Sequence, residues 1–169
     1  MTATRGIPLV GRGRELERIE VARTAGRSGV VIIAEAGVGK SRLAREALAA
    51  AERAVCAVEW VQATRSAASV PLGAFASLLP ADARSDDLFV LMERCAAALS
   101  TRANGQRLVL GVDDAQWLDP TSAALVLRMA GTGAAFMVAT VRTGEQCPDA
   151  VVSLWKDAGA ERVDLSTLS

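Results

Sequence analysis

The residues of this chain best equipped for chemistry lie in Ala34-Glu35-Ala36-Gly37-Val38-Gly39-Lys40-Ser41, between the apolar run Val30 to Ile33 and a helical pattern that begins near Arg42. Gly37 and Gly39 let the backbone curl so that successive N–H groups face inward around an anion. The helix that follows aims its positive N-terminal end at the same point. Lys40 offers an ammonium for the β and γ phosphates of a nucleotide, and Ser41 a hydroxyl suited to Mg²⁺. The pattern is that of a phosphate-binding loop, with Ala36, Gly37, Val38, Gly39, Lys40, Ser41 and Arg42 as the expected contacts. Ala34 stands where the strict pattern has glycine, and alanine fits there if its φ is negative.

A second set of chemical groups lies downstream. The apolar run Leu108-Val109-Leu110-Gly111-Val112 delivers Asp113-Asp114 and then Ala115-Gln116-Trp117-Leu118-Asp119. Acidic residues often start loops, so the pair alone is a weak signal. Coupled to the phosphate loop it gains meaning, because open parallel sheets bind ligands beyond the carboxyl ends of their strands. Asp113 would hold Mg²⁺ through water, and Asp114 would polarise an attacking water.

The rest of the composition narrows the alternatives. The 169 residues include no histidine, which removes Ser-His-Asp and Cys-His catalysis and histidine metal sites. Cys56, Cys95 and Cys147 are too widely spaced for a zinc knuckle and read as small apolar residues. Nineteen basic residues balance nineteen acidic ones, and there is no Tyr, so neither a polyanion surface nor a base-stacking platform is expected. No segment has the length of a signal peptide or membrane span, which points to a cytoplasmic protein without membrane contact.

At 51% hydrophobic and 22% charged, the chain fits one globular domain over 1–169. Alternating elements must position the two motifs. A loop over Ile7 to Arg14 leads into a helix through Leu16 and Ile19 that ends at Gly26. Strand Val30 to Ala34 precedes the phosphate loop, and a helix from about Gly39 to Glu52 follows it. Ala54 to Val61 reads as a strand, less buried on the side of Glu59. A helix starts at Pro71, carries Leu72, Phe75, Leu78 and Leu79 and stops at Pro80. Another covers Asp86 to Arg102 and ends at Asn104-Gly105. Asp119-Pro120 starts a helix that Gly131 closes. Ala134 to Val141 is a strand, Val151 to Ala158 a helix, and Arg162 to Leu165 a short last strand. Strands alternating with helices predict a parallel sheet covered on both faces. Trp60 and Phe75 read as core, Trp117 as packing under the acidic loop, and Arg65, Arg84 and Arg94 as solvated cations.

Four stretches together resemble the signal-transduction ATPases with numerous domains (STAND class), and within them the N-terminal nucleotide-binding module of large LuxR-type transcriptional regulators. They are Leu9-Val10-Gly11-Arg12-Gly13-Arg14-Glu15-Leu16, the phosphate loop, Asp113-Asp114-Ala115-Gln116-Trp117-Leu118-Asp119, and Ala139-Thr140-Val141-Arg142-Thr143-Gly144-Glu145. Where the family's first motif has Arg-Glu, this chain has Arg12-Gly13. The resemblance implies an α/β P-loop NTPase fold, a three-layer α/β/α sandwich of about five parallel strands in the order 5-1-4-3-2. It implies ATP or ADP with Mg²⁺ as ligands, Val10 and Arg12 near the nucleotide, and Arg142 facing the γ-phosphate. It also implies that the remaining regulator domains lie beyond Ser169, that DNA is met only through one of those, and that nucleotide-dependent self-association is open to the protein.

The resulting expectation is an ATP-binding, slowly hydrolysing switch, with Lys40, Asp114 and Arg142 as the chemical groups and Ser41 and Asp113 as metal ligands. A small-molecule phosphotransferase and an interaction domain without nucleotide are the other readings.

Overall fold

The computed structural model describes residues 11–82 and 85–168. The chain alternates α1 (Gly13–Thr24), β1 (Gly29–Ala34), α2 (Lys40–Arg53), β2 (Ala57–Gln62), α3 (Leu88–Ala103), β3 (Leu108–Asp113), α4 (Pro120–Thr132), β4 (Phe136–Arg142), α5 (Asp149–Lys156) and β5 (Glu161–Asp164). The strands form one sheet in the order β2-β3-β4-β1-β5, every pair parallel. This is the expected 5-1-4-3-2 order read from the other edge, and the fold is a P-loop NTPase-like three-layer α/β/α sandwich.

The sheet is parallel because each β-strand returns through a helix, and its inner strands are apolar except for Asp113, Thr140 and Arg142 at their carboxyl ends because both faces are covered. β1 and β3 are buried at every residue. On one face α1 and α2 bring Ile19, Leu43, Ala47 and Leu48 onto Val30, Ile32 and Val138. On the other, Leu99, Leu125, Val126 and Leu154 pack on Val31, Leu110 and Met137. Gly111 is required by a close approach. A Cβ there would lie 2.6 Å from the Trp60 ring and 3.0 Å from Leu48, so β3 can pass under α2 only without a side chain.

Several boundaries differ from the sequence reading. No α-helix starts at Pro71: residues Gly73–Leu78 form a 3-10 segment. Leu72 is held in the left-handed region at φ 56, with its N–H donated to the Asp119 carboxylate at 3.0 Å, so only one tight stretch separates it from Pro80. Leu72 and Phe75 are nevertheless buried as their pattern requires. β2 starts at Ala57 instead of Ala54, because α2 ends in a turn with Val55 at φ 65 and Cys56 N–H donated back to Ala51 O. α4 runs past Gly131 to Thr132, and Gly133, at φ 76, ends it. Trp60 is only partly buried, since β2 is an edge strand, and the Arg45 guanidinium lies 4.0 Å over its ring. Glu59 on that strand pairs with Arg102 at 2.6 Å.

Candidate functional site

The phosphate loop occupies residues 35–39, between the end of β1 and the first turn of α2. Gly37 and Gly39 have φ of 78 and 96, a region that costs other residues about 1–2 kcal/mol. A Cβ at either would meet nothing within 4 Å, so glycine is demanded here by backbone conformation and the mouth of the loop is open. Lys40 opens α2 and is only 6% exposed. Among the described residues no carboxylate pairs with it. Arg42, two residues further on, is exposed, and Val10 lies outside the described residues.

From Ser41 a continuous run of hydrogen bonds crosses the strand ends. Ser41 Oγ donates to Asp113 Oδ1 at 2.8 Å, which joins the start of α2 to the end of β3. Thr140 Oγ1, fully buried on β4, donates to the same oxygen at 2.5 Å and accepts the Asp114 N–H at 2.8 Å. Asp114 sits in the left-handed region at φ 54. Its two carboxylate oxygens meet two different amides: Gln116 Nε2 donates to Oδ1 at 3.3 Å, and Gln62 Nε2 to Oδ2 at 3.2 Å. Gln116 Oε1 in turn accepts the Arg142 N–H at 3.1 Å. β2, β3, β4 and α2 are thereby tied together around the acidic pair.

Arg142 leaves the end of β4 with its guanidinium 5.2 Å over the Trp117 ring and 4.0 Å from Glu145. Its Nε is buried without a hydrogen-bond partner among the described residues. Arg65, solvated at 73% exposure as its sequence context suggested, also lies 5.1 Å over the same ring and 3.7 Å from the same Glu145. Arg84 lies outside the described residues. Arg12, 4% exposed, donates to Ser166 O at 2.6 Å, to Val38 O at 3.3 Å and to Glu15 at 3.3 Å. It works here as a strut between the N-terminal loop, the phosphate loop and the segment after β5.

Asp119, the last acid of the Asp113 to Asp119 stretch, is structural. It is 2% exposed, caps α4 by accepting the Ser122 N–H at 3.0 Å, and holds Leu72 through the same oxygen. The cysteines stay outside the site, and burial pushes the Cys95 and Cys147 thiols up to about 11, so both are protonated at neutral pH.

The donor set at Ser41 and Asp113 consists of hard oxygens. That suits Mg²⁺, which takes one or two carboxylates and completes its shell with phosphates and water. Among the described residues no three His, Cys, Asp or Glu gather that could hold a metal unaided. An open groove of about 670 Å³ between Leu78, Leu79, Pro80 and α3 lies away from this network, and among the described residues its charged groups are Asp82, Arg94 and Arg102.

The fold brings Lys40, Ser41, Asp113, Asp114 and Arg142, all singled out in the sequence, to one pole of the sheet. Sequence reasoning missed Thr140, Gln62 and Gln116 as their partners. Thr140 was findable as the polar residue in an otherwise apolar buried strand, and Gln62 carried no signal beyond closing β2.

Solved structures that share the fold include the following two. One chain of the E. coli MS115-1 HORMA:CdnC:Trip13 complex aligns with a TM-score of 0.60 at 15% identity, covering 95% of this chain and 64% of that one. The Pif1 helicase from Candida albicans aligns with a TM-score of 0.58 at 19% identity, covering 96% of this chain and 41% of the helicase. This chain thus spans less than two thirds of either. No curated protein matches its sequence. Residues 8–136 match the AAA ATPase domain, and that stretch contains the phosphate loop and the acidic pair whose contact is described above: the chain belongs to the AAA ATPase domain family.

Proposed function

We propose that the chain is the ATP-binding, slowly hydrolysing switch module of a bacterial transcriptional regulator. The observation that carries this reading is the 2.8 Å contact between Ser41 and Asp113, which brings a phosphate loop and an acidic strand end to one point. The loop N–H groups and Lys40 would bind the β and γ phosphates of ATP, with Val10 and Arg12 on the nucleotide side. Ser41 and Asp113 would hold Mg²⁺, which when bound neutralises charge on the phosphate oxygens. Asp114 would orient a water and take its proton as the new O–P bond forms, while ADP leaves with the electrons of the broken bond. Arg142, whose Nε lacks a hydrogen-bond partner among the described residues, would steady charge on the γ-phosphoryl group.

The regulatory part of the proposal draws support from the likeness of Asp113 to Asp119 and of the Arg142 strand to the STAND class. Nucleotide state would be passed to other domains of the same cytoplasmic regulator, one of which would meet DNA, with self-association as a further output. Titration with fluorescent ATP, with and without Mg²⁺, tests the binding claim. Saturable, Mg²⁺-strengthened binding that Lys40→Ala removes is the expected result. No binding would leave an interaction domain, and ATP consumption that requires an added acceptor would make the protein a phosphotransferase.

A further inference from the structure

We infer that Gln116 is the positioning residue that aims Asp114, and that its side-chain amide, oriented by the backbone of β4, is needed for ATP hydrolysis but not for ATP binding. The inference rests on the proposed role of Asp114 as the group that orients water.

The geometry sets the orientation of the amide. Gln116 is 5% exposed and has two partners of opposite character. The Arg142 N–H can only donate, so the atom facing it at 3.1 Å is Oε1. That leaves Nε2 facing Asp114 Oδ1 at 3.3 Å, where it donates to an acceptor-only carboxylate. A buried amide with a fixed donor end restricts the carboxylate to one rotamer. The backbone of Asp114 does not do this alone: its φ of 54 is uncommon for a residue other than glycine and leaves the side chain projecting from a short turn. The other amide, from Gln62, belongs to an exposed residue at the end of the edge strand and is itself shared with Ala63 O at 3.2 Å. Gln116 is therefore the better-fixed of the two holds on Asp114. Because its far end grips the residue that carries the Arg142 guanidinium, it also sets Asp114 and Arg142 at one spacing.

Two substitutions separate positioning from a merely structural role. Gln116→Glu keeps an oxygen for the Arg142 N–H but loses the donor to Asp114. Gln116→His offers, as a neutral imidazole, an acceptor and a donor about as far apart as those of the amide; at pH 8.5 it is neutral, since the ordinary histidine value is about 6.5. The expected result for Gln116→Glu at pH 8.5 is a lowered thermal midpoint, because a second carboxylate then faces Asp114, together with Mg²⁺·ATP affinity within about threefold at a temperature where both proteins are folded, and single-turnover hydrolysis slowed at least about tenfold, the effect of about 1.4 kcal/mol. Gln116→His at pH 8.5 should restore at least half of the lost rate. The same variants are compared for binding of ADP with aluminium fluoride, which mimics the transferring phosphoryl group and requires no turnover. Gln116→Glu should lose affinity for this analogue at least about tenfold more than for ATP. Parent-like hydrolysis and analogue binding in Gln116→Glu, or equal losses in the Glu and His variants with both folded at the assay temperature, would overturn the inference. If ATP binds and Lys40→Ala abolishes that binding, such a failure falls on Gln116 alone; if ATP does not bind at all, the nucleotide reading fails with it.

Discussion

Lys40 is the one cation seated within the phosphate loop, and its near-complete burial beside the loop's open mouth gives its ammonium a narrow range of positions. Lys40→Ala removes a charge-assisted contact, so ATP affinity should fall by at least about tenfold. Unchanged affinity in a stably folded variant would sink the phosphate-loop assignment. The two acids should behave differently from each other. Asp113→Asn keeps an oxygen for the Ser41 and Thr140 hydroxyls but loses the charge a metal needs, so the gain in ATP affinity on adding Mg²⁺ should largely disappear. In its proposed role Asp114 faces the γ-phosphate without holding the metal, so in Asp114→Asn binding should hold or tighten while hydrolysis falls. Equal loss of Mg²⁺-dependent binding in both variants, measured by titration calorimetry, would assign Asp114 to the metal as well.

Between elements, the decisive side chain is Asp119. One carboxylate oxygen caps α4 through the Ser122 N–H and also accepts the Leu72 N–H from the segment that follows β2. Asp119→Ala loses a cap, worth about 1 kcal/mol, and leaves a buried N–H without a partner, which costs about 1–3 kcal/mol. Urea denaturation should show a loss of about 2–4 kcal/mol. Asp119→Asn, which retains an accepting oxygen, should lose less than half of that. A loss within 0.5 kcal/mol for Asp119→Ala, the range usual for surface changes, would mean that Leu72 is held by packing alone.

At the scale of the molecule, the pole that carries the phosphate loop is open among the described residues. Glu35, Ala36, Gly37 and Gly39 are exposed, and beside them an open cleft of about 320 Å³ lies between Glu35, Val38, Thr143 and residues 165–167. Water is not excluded from such a site, and solvent weakens the electrostatic stabilisation that phosphoryl transfer depends on. The 169-residue chain should therefore bind ATP yet turn it over far more slowly than about 10 per second, the median for enzymes. Phosphate release at that median rate, measured on this chain, would contradict the switch. No helix among the described residues is long and apolar enough to cross a membrane.

The alternation of apolar strands with amphipathic helices was legible in the chain because burial on two faces demands continuous Val, Ile and Leu, and burial on one face demands helical spacing. Gly37, Gly39 and Lys40 were legible for a related reason: local backbone chemistry needs those residue types within a few positions. What lay beyond the sequence were pairings between distant segments. Leu72, with the spacing of a helix, was drawn into a left-handed turn by a carboxylate 47 residues away. Gln116 and Arg142 are 26 residues apart, and Gln62 lies 52 residues from Asp114. A glutamine has no intrinsic preference that reveals its partner. Only the parallel register, which sets the ends of β2, β3 and β4 side by side, decided that these amides and the Thr140 hydroxyl would close around the acidic pair.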